Sequence, residues 1–87
     1  MAGRVIDAVL VRAEWDGEAT VWVATSDDVP GLVAEHRDFR ALQQWVLELV
    51  PILLEENGLL PAGHGAFDVS VHIAAQGLSR GRARVAA

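Results

Sequence analysis

The sequence contains no cysteine, and its seven basic residues are outnumbered by twelve acidic ones. The absence of cysteine excludes disulfide bonds, thiolate metal sites and cysteine nucleophiles. Long apolar runs are also missing, since none approaches the roughly 18 residues of a membrane span. Arg4 and Asp7 interrupt the N-terminal segment before any stretch long enough for a signal peptide. We therefore expect a cytoplasmic protein that is held together by its hydrophobic core alone.

The length and apolar content of the chain predict one small domain. A chain of 87 residues, of which 52% are hydrophobic, can bury one core but cannot be divided into two domains. At this size the core supplies little surplus stability, so association with a second molecule would help. We assign residues 1–76 to a single α+β domain and residues 77–87 to a basic, flexible C-terminal tail.

The charges are distributed unevenly along the chain. All twelve carboxylates lie within residues 1–79, whereas Arg80, Arg82 and Arg84 lie close together near the C-terminus. An acidic body repels the phosphates of nucleic acids and attracts cationic proteins. The composition therefore favours a basic protein partner over nucleic acid, with a merely solubilising acidic surface as the alternative.

The first half of the chain has the alternation and turn residues of a small sheet. Residues 5–14 are rich in β-branched side chains, and Asp16-Gly17 then indicates a hairpin turn of type I′. Residues 19–25 alternate as a second strand. Residues 26–31 concentrate turn formers, and a short third strand over residues 32–35 follows.

One helix and one more strand are predicted in the second half. Asp38 is a candidate N-cap, and Asn57-Gly58 is a stop signal. Pro51 predicts a kink or a break near residues 47–51. A fourth strand follows, in which apolar residues alternate with polar ones, and residues 77–87 show no period. The apolar stripe of the helix consists of Phe39, Leu42, Val46, Leu49, Val50 and Leu53, and that of the strand of Phe67, Val69, Val71 and Ile73.

The element order β-β-β-α-β predicts an α+β fold with a mostly antiparallel sheet and one kinked helix on one face. The crossover helix predicts that the last strand runs parallel to an earlier one. Beyond the core stripe, the helix carries Trp45 and Ile52 on one flank and Leu47 and Leu54 on the other. This excess of apolar surface has two interpretations: a partner covers part of it, or both flanks turn into the domain's own core.

Residues 19–35, ATVWVATSDDVPGLVAE, resemble the HicB-like antitoxin domains and their single-domain relatives of uncertain function. The preceding WDGE turn and the later helix end LVPILLEENG extend the resemblance over roughly residues 6–75. It implies a partial RNase H-like fold that commonly dimerises. It also implies binding of a small basic HicA-like toxin of the mRNA-interferase type, whose catalytic histidine the antitoxin blocks.

The chain differs from the fuller antitoxins in one respect. They usually continue into a ribbon-helix-helix or helix-turn-helix DNA-binding domain, whereas only the eleven residues 77–87 follow here. Specific DNA binding is therefore not expected. The second hypothesis is an orphan dimeric HicB-like domain that has no toxin partner.

A third and more distant hypothesis is a metal-dependent nuclease. RNase H folds place metal-binding carboxylates on the first strand, the first helix and the fourth strand, which here carry Asp7, Glu48 and Asp68. On a helical wheel, however, Glu48 lies opposite the core stripe, so the three groups are not expected to converge on a metal pair. The three histidines lack the spacing of zinc ligands. We therefore expect neither a catalytic residue nor a metal or cofactor.

The candidate binding residues come from the turn that carries the resemblance, from the tryptophans and from the helix. For the Asp pair in the turn the alternative is local bonding to the backbone, and for the tryptophans it is a place in the core. Trp15 is expected to be the most exposed tryptophan. The predicted partner-binding residues are Trp15, Trp22, Asp27, Asp28, Pro30, Gly31 and Glu35, and the predicted dimer or partner interface is formed by Trp45 and Ile52.

Overall fold

The computed structural model describes residues 7–75 and 78–86. A single helix packs on one face of a five-stranded sheet with strand order β3-β2-β1-β4-β5. The central strand β1 pairs in parallel with β4, and the other neighbouring strands are antiparallel. The α+β class and the parallel return of β4 are thus confirmed. The elements are β1 (Ala8–Asp16), β2 (Val21–Thr25), β3 (Val33–His36), α1 (Phe39–Glu56), β4 (Phe67–Ala74) and β5 (Leu78–Val85).

The core lies between α1 and the sheet face that it covers, which we call the inner face. Alternate strand residues point into it, as the period of two requires. The helix contributes Leu42, Val46, Val50 and Leu54, which recur at four-residue steps and are all fully buried. Burying such a side chain contributes about 1.5–3 kcal/mol. The buried strand residues are Val9, Val11, Ala13, Ala24, Ala34, Val69, Val71, Ile73, Ala83 and Val85.

Helix α1 begins and ends where the sequence indicates. The Asp38 carboxylate accepts the backbone N–H of Ala41 at 3.2 Å, as an N-cap does, and Asn57 is the C-cap. The helix continues through Pro51 to Glu56, so the expected break does not occur, while a kink remains a prediction. Val50 and Leu54 on either side of Pro51 are both buried, and their packing offsets the hydrogen bond that proline cannot donate.

The first hairpin forms, but its turn differs from the predicted one. Four residues, 17–20, separate the paired residues Asp16 and Val21. The Asp16 carboxylate accepts the backbone N–H groups of Glu18 and Ala19 at 3.0 and 3.2 Å, and the residue with positive φ is Thr20. Asp16 therefore stabilises the turn through its side chain and not through a type I′ backbone.

The C-terminal residues form a fifth strand, where the sequence predicted a flexible tail. The interpretation of this segment as aperiodic was wrong: in β5, Gly81, Ala83 and Val85 face the helix, while Arg82 and Arg84 are exposed on the other face. Gly81 and Ala83 are small, which suits the closeness of α1. A Cβ atom at Gly81 would lie 3.0 Å from Cδ2 of Leu47. Residues 76, 77 and 87 of the predicted tail lie outside the described residues.

Candidate protein-binding surfaces

The turn that carries the resemblance to HicB-like domains has a structural role. Leu32 donates its N–H to the carbonyl oxygen of Val29 at 3.1 Å, with Pro30 and Gly31 between them and Gly31 at φ 85°. This is a type II turn, which requires positive φ at its third residue. Val29 and Leu32 are buried in the core, and the Pro30 carbonyl accepts a hydrogen bond from the side chain of Asn57 at 3.0 Å. Pro30 and Gly31 thus fasten the turn to the end of α1.

Asp28 and Ser26 extend the hydrogen bonding of the central strand beyond the end of β2. Strand β2 ends at Thr25, opposite Arg12, so Leu10 has no β2 residue beside it. Its N–H donates instead to the Asp28 carboxylate at 2.7 Å, and its carbonyl oxygen accepts the Ser26 hydroxyl at 2.5 Å. Asp28 therefore bonds to the backbone, but to a strand residue eighteen positions away and not to the local backbone that the sequence alternative named. Sequence reasoning missed Ser26, because a serine beside two aspartates reads only as a turn former.

The sheet face opposite α1, which we call the outer face, is not covered by any element within residues 7–75 and 78–86. Asp27 forms an exposed ion pair there with Arg12 at 3.1 Å. Glu35 is exposed on edge strand β3. Leu10 at the centre of the sheet and Val33 on β3 are 49% and 65% exposed. The outer face thus carries separated apolar side chains among charges of both signs.

Two of the three tryptophans belong to an aromatic cluster at the hairpin end of the inner face. The Trp22 ring lies edge-on to Trp15 and to Phe39, with centroid distances of 5.6 and 5.0 Å. Trp22 is half-buried and packs against the core, whereas Trp15 is 50% exposed. The cluster therefore ties the hairpin to the start of α1, and Trp15 offers an open aromatic surface.

The predicted interface residues Trp45 and Ile52 are both exposed on α1, by 46% and 54%. They lie about two helical turns apart and so share one side of the helix. On the other flank Leu54 is fully buried and Leu47 packs against the core. One of the two flanks therefore completes the core and the other stays exposed.

The charges that α1 itself carries beside this exposed flank are all negative. The only charged residues between Gln43 and Glu56 are Glu48, Glu55 and Glu56, and all three are exposed. The last turn contains no basic residue, although a helix C-terminus favours cations. We call Trp45, Glu48, Ile52, Glu55 and Glu56 the acidic helix stripe. Its two terminal carboxylates each cost about 0.3–1 kcal/mol of stability through the helix dipole.

A groove runs on either side of α1, along an edge of the sheet. The larger groove, of about 510 Å³, separates the helix from β5, and Leu47, Pro51 and Ile52 line its helical wall. The smaller one, of about 370 Å³, lies beside β3 and is lined by Glu35, His36 and Trp45, among others. The predicted binding residues are thus divided between the outer face, the hairpin end and the helix, and do not form one site.

The carboxylates of the nuclease hypothesis are separated by the sheet. Asp68 lies on the outer face, where it pairs with Arg84 at 3.3 Å, whereas Glu48 is on α1 across the sheet. No three His, Asp or Glu side chains in the described part of the chain are placed to hold a metal ion. The Nδ1 atom of His36 accepts the N–H of Asp38 at 2.9 Å, and His64 packs edge-on against Phe67. Within residues 7–75 and 78–86, no helix is long and apolar enough to span a membrane.

Comparison with known proteins identifies relatives whose function is not given. The model of a family described as a domain of unknown function, DUF1902, matches residues 8–86. The crystal structure of a hypothetical protein, TTHA1013, from the extremely thermophilic bacterium Thermus thermophilus is similar, with 46% sequence identity and a TM-score of 0.67. The similarity covers 78% of this chain and 90% of that one. No curated protein matches the chain. The family match spans nearly all of the chain, which therefore belongs to the DUF1902 family.

Proposed function

We propose that this chain is a non-catalytic protein-binding domain of the HicB-like antitoxin type, which neutralises a small basic HicA-like mRNA-interferase toxin. The observation that carries the proposal is the acidic helix stripe, in which Trp45 and Ile52 are about half exposed and the charged residues of α1 after Gln43 are all carboxylates. Apolar contacts supply affinity and complementary charge supplies orientation and speed of association. A basic protein with an apolar patch is the partner that fits both.

The cost of the stripe to the fold supports a binding role. Glu55 and Glu56 lie where the helix dipole disfavours negative charge, and Trp45 and Ile52 expose apolar surface to water. Features that conflict with local stability are expected at functional sites. A basic partner that covered the stripe would reverse both penalties, because its cations would neutralise the carboxylates and its apolar groups would remove the two side chains from water.

The proposal is tested by searching the reading frames beside the chain's gene for a small basic protein and co-expressing the chain with it. We expect the chain to restore growth of cells that produce that protein, and the two to elute as one complex in size-exclusion chromatography with light scattering. Ile52→Lys should weaken the complex at least tenfold, because it adds a cation to the stripe. Val33→Lys is the matched control, since it makes the same kind of change at an exposed residue of the outer face.

Two results would contradict parts of this proposal. A complex that tolerates Ile52→Lys but not Val33→Lys would move the binding surface to the outer face, near the predicted contacts Asp27 and Glu35. A homodimer that ignores the basic neighbour and leaves its toxicity unchanged would instead favour the orphan dimeric domain.

A further inference from the structure

The backbone hydrogen bonds determine which groups β5 presents at the edge of the sheet. Ser70 donates its N–H to the carbonyl oxygen of Asp7 at 2.8 Å, so the peptide groups of Ser70 face β1. Successive residues of a strand face opposite sides, and Val69 and Val71 therefore bond to β5. Their partners there are Ala83 and Gly81. It follows that Arg82 and Arg84 direct their backbone N–H and C=O groups away from β4.

Nothing within residues 7–75 and 78–86 pairs with that side of β5, which is the edge of the sheet. The same two residues place their side chains on the outer face, where both are exposed and Arg84 contacts the exposed Asp68. The edge thus offers hydrogen-bond donors and acceptors together with positive charge. Such an edge can accept an added strand, and it selects the strand by the charges that lie opposite its own.

A second copy of this chain fits the edge poorly. When two β5 strands pair in antiparallel orientation about a two-fold axis, they form hydrogen bonds through the residues whose backbone groups point away from β4. These are the even-numbered residues around Arg82. A register centred on Arg82 sets it opposite itself, and the next register sets it opposite Arg84. Like charges directly opposite each other destabilise a strand pair. The edge therefore selects a different strand, with carboxylates at the positions that oppose Arg82 and Arg84.

The groove beside α1 determines which side chains are favoured on the other side of an added strand. The inner face of β5 carries the small residues Gly81 and Ala83, and next to them lies the helical wall of Leu47, Pro51 and Ile52. An added strand would place every second side chain above this wall, where apolar groups are favoured. Carboxylates are disfavoured on that side, since Glu48 and Glu55 border the groove.

We propose that the free edge of β5 binds an extended segment of another protein, in which carboxylates facing Arg82 and Arg84 alternate with apolar residues that enter the groove beside α1. The interaction adds a sixth strand to the sheet. It does not depend on the antitoxin role, because its partner is acidic on the side that meets the arginines.

The test uses the full chain and a blocked synthetic peptide of eight residues that alternates glutamate with valine. We expect the amide NMR signals of Arg82 and Arg84 to shift and their hydrogen exchange to slow at least tenfold. In an antiparallel pair the glutamates also exchange hydrogen bonds with the edge, so a peptide N-methylated at those residues should bind at least tenfold more weakly. A peptide with lysine in place of glutamate should not bind.

Charge reversal in the protein gives a second readout. Arg82→Glu should weaken binding of the glutamate peptide at least tenfold, because it sets like charges opposite each other at one position while Arg84 keeps its positive charge. Arg40→Glu is the matched control, because it changes the net charge equally at an exposed position on α1. Three results would overturn the proposal: equal binding of the N-methylated peptide, shifts confined to β3, or a single-stranded RNA octamer that binds at Arg82 and Arg84 more tightly than the glutamate peptide.

Discussion

The carboxylate of Asp28 accepts the backbone N–H of Leu10 at 2.7 Å and so replaces the strand residue that β2 no longer supplies. Without it, the central strand would lose a hydrogen-bond partner at Leu10, two residues beyond Arg12, which pairs with the last residue of β2. Ser26 accepts the N–H of Asp28 at 3.1 Å and holds the loop in place for this contact. The turn region, although it is not a strand, therefore supplies hydrogen bonds to the sheet.

We expect Asp28→Ala to lower the free energy of unfolding by about 1–3 kcal/mol, because it leaves the N–H of Leu10 without its charged acceptor. Asp27→Ala is the matched control, since it removes only an exposed ion pair worth about 0–1 kcal/mol. Urea denaturation followed by tryptophan fluorescence measures both. Equal losses of unfolding free energy in the two variants would show that the Leu10 contact contributes no more to stability than the exposed ion pair.

The two clustered tryptophans should respond differently to truncation. Trp22→Ala removes a ring that packs against Trp15, Phe39 and the core, and should cost about 2–4 kcal/mol of unfolding free energy. Trp15→Ala, at a half-exposed position, should cost about 1 kcal/mol or less. Thermal unfolding of both variants tests this difference. A larger loss for Trp15→Ala would mean that the exposed ring holds the hairpin.

Much of the fold could be predicted from the sequence, and the exceptions have physical reasons. Strand β4 and the start of α1 were predictable because large apolar residues and a capping aspartate mark them. Strand β5 was not, because its inward positions 81 and 83 are Gly and Ala, which suit the closeness of Leu47 and carry little hydrophobic signal. The contact between Leu10 and Asp28 joins residues eighteen apart and has no local signal.

The candidate surface was predictable only in part, for a geometric reason. A helical wheel shows that α1 has two apolar flanks beside its core stripe, and it cannot tell which flank the sheet covers. That depends on how the helix is rolled over the strands, which buries Leu54 and exposes Ile52. The choice became clear only once the packing of α1 against β5 was known.

Divalent metal ions should neither stabilise the chain nor make it a nuclease. Glu48 and Asp68 lie on opposite sides of the sheet, and the Asp68 carboxylate is already paired with Arg84. We expect the melting temperature to change by less than about 1 °C in millimolar magnesium or manganese, since a ligand that does not bind the native state cannot stabilise it. RNA and RNA–DNA hybrids should stay intact under the same conditions. Cleavage that Asp68→Asn abolishes would restore the nuclease hypothesis.

The acidic helix stripe predicts that stability and binding respond in opposite directions to one substitution. Glu55→Lys replaces an anion by a cation in the last turn of α1, where the helix dipole favours positive charge. We expect the free energy of unfolding to rise by about 0.5–1 kcal/mol, while the complex with the basic partner weakens about tenfold at low salt. Urea denaturation and titration calorimetry measure the two effects.

Glu18→Lys distinguishes an effect of the acidic helix stripe on binding from an effect of the net charge of the protein. It changes the net charge equally, but in the exposed turn between β1 and β2, whose hairpin contacts the start of α1 and not its last turn. It should leave the affinity within about twofold, because exposed charges more than about 10 Å apart are largely screened at 0.1 M salt. If Glu18→Lys weakens the complex as much as Glu55→Lys does, the partner responds to net charge alone. The stripe would then be a costly surface without a binding role.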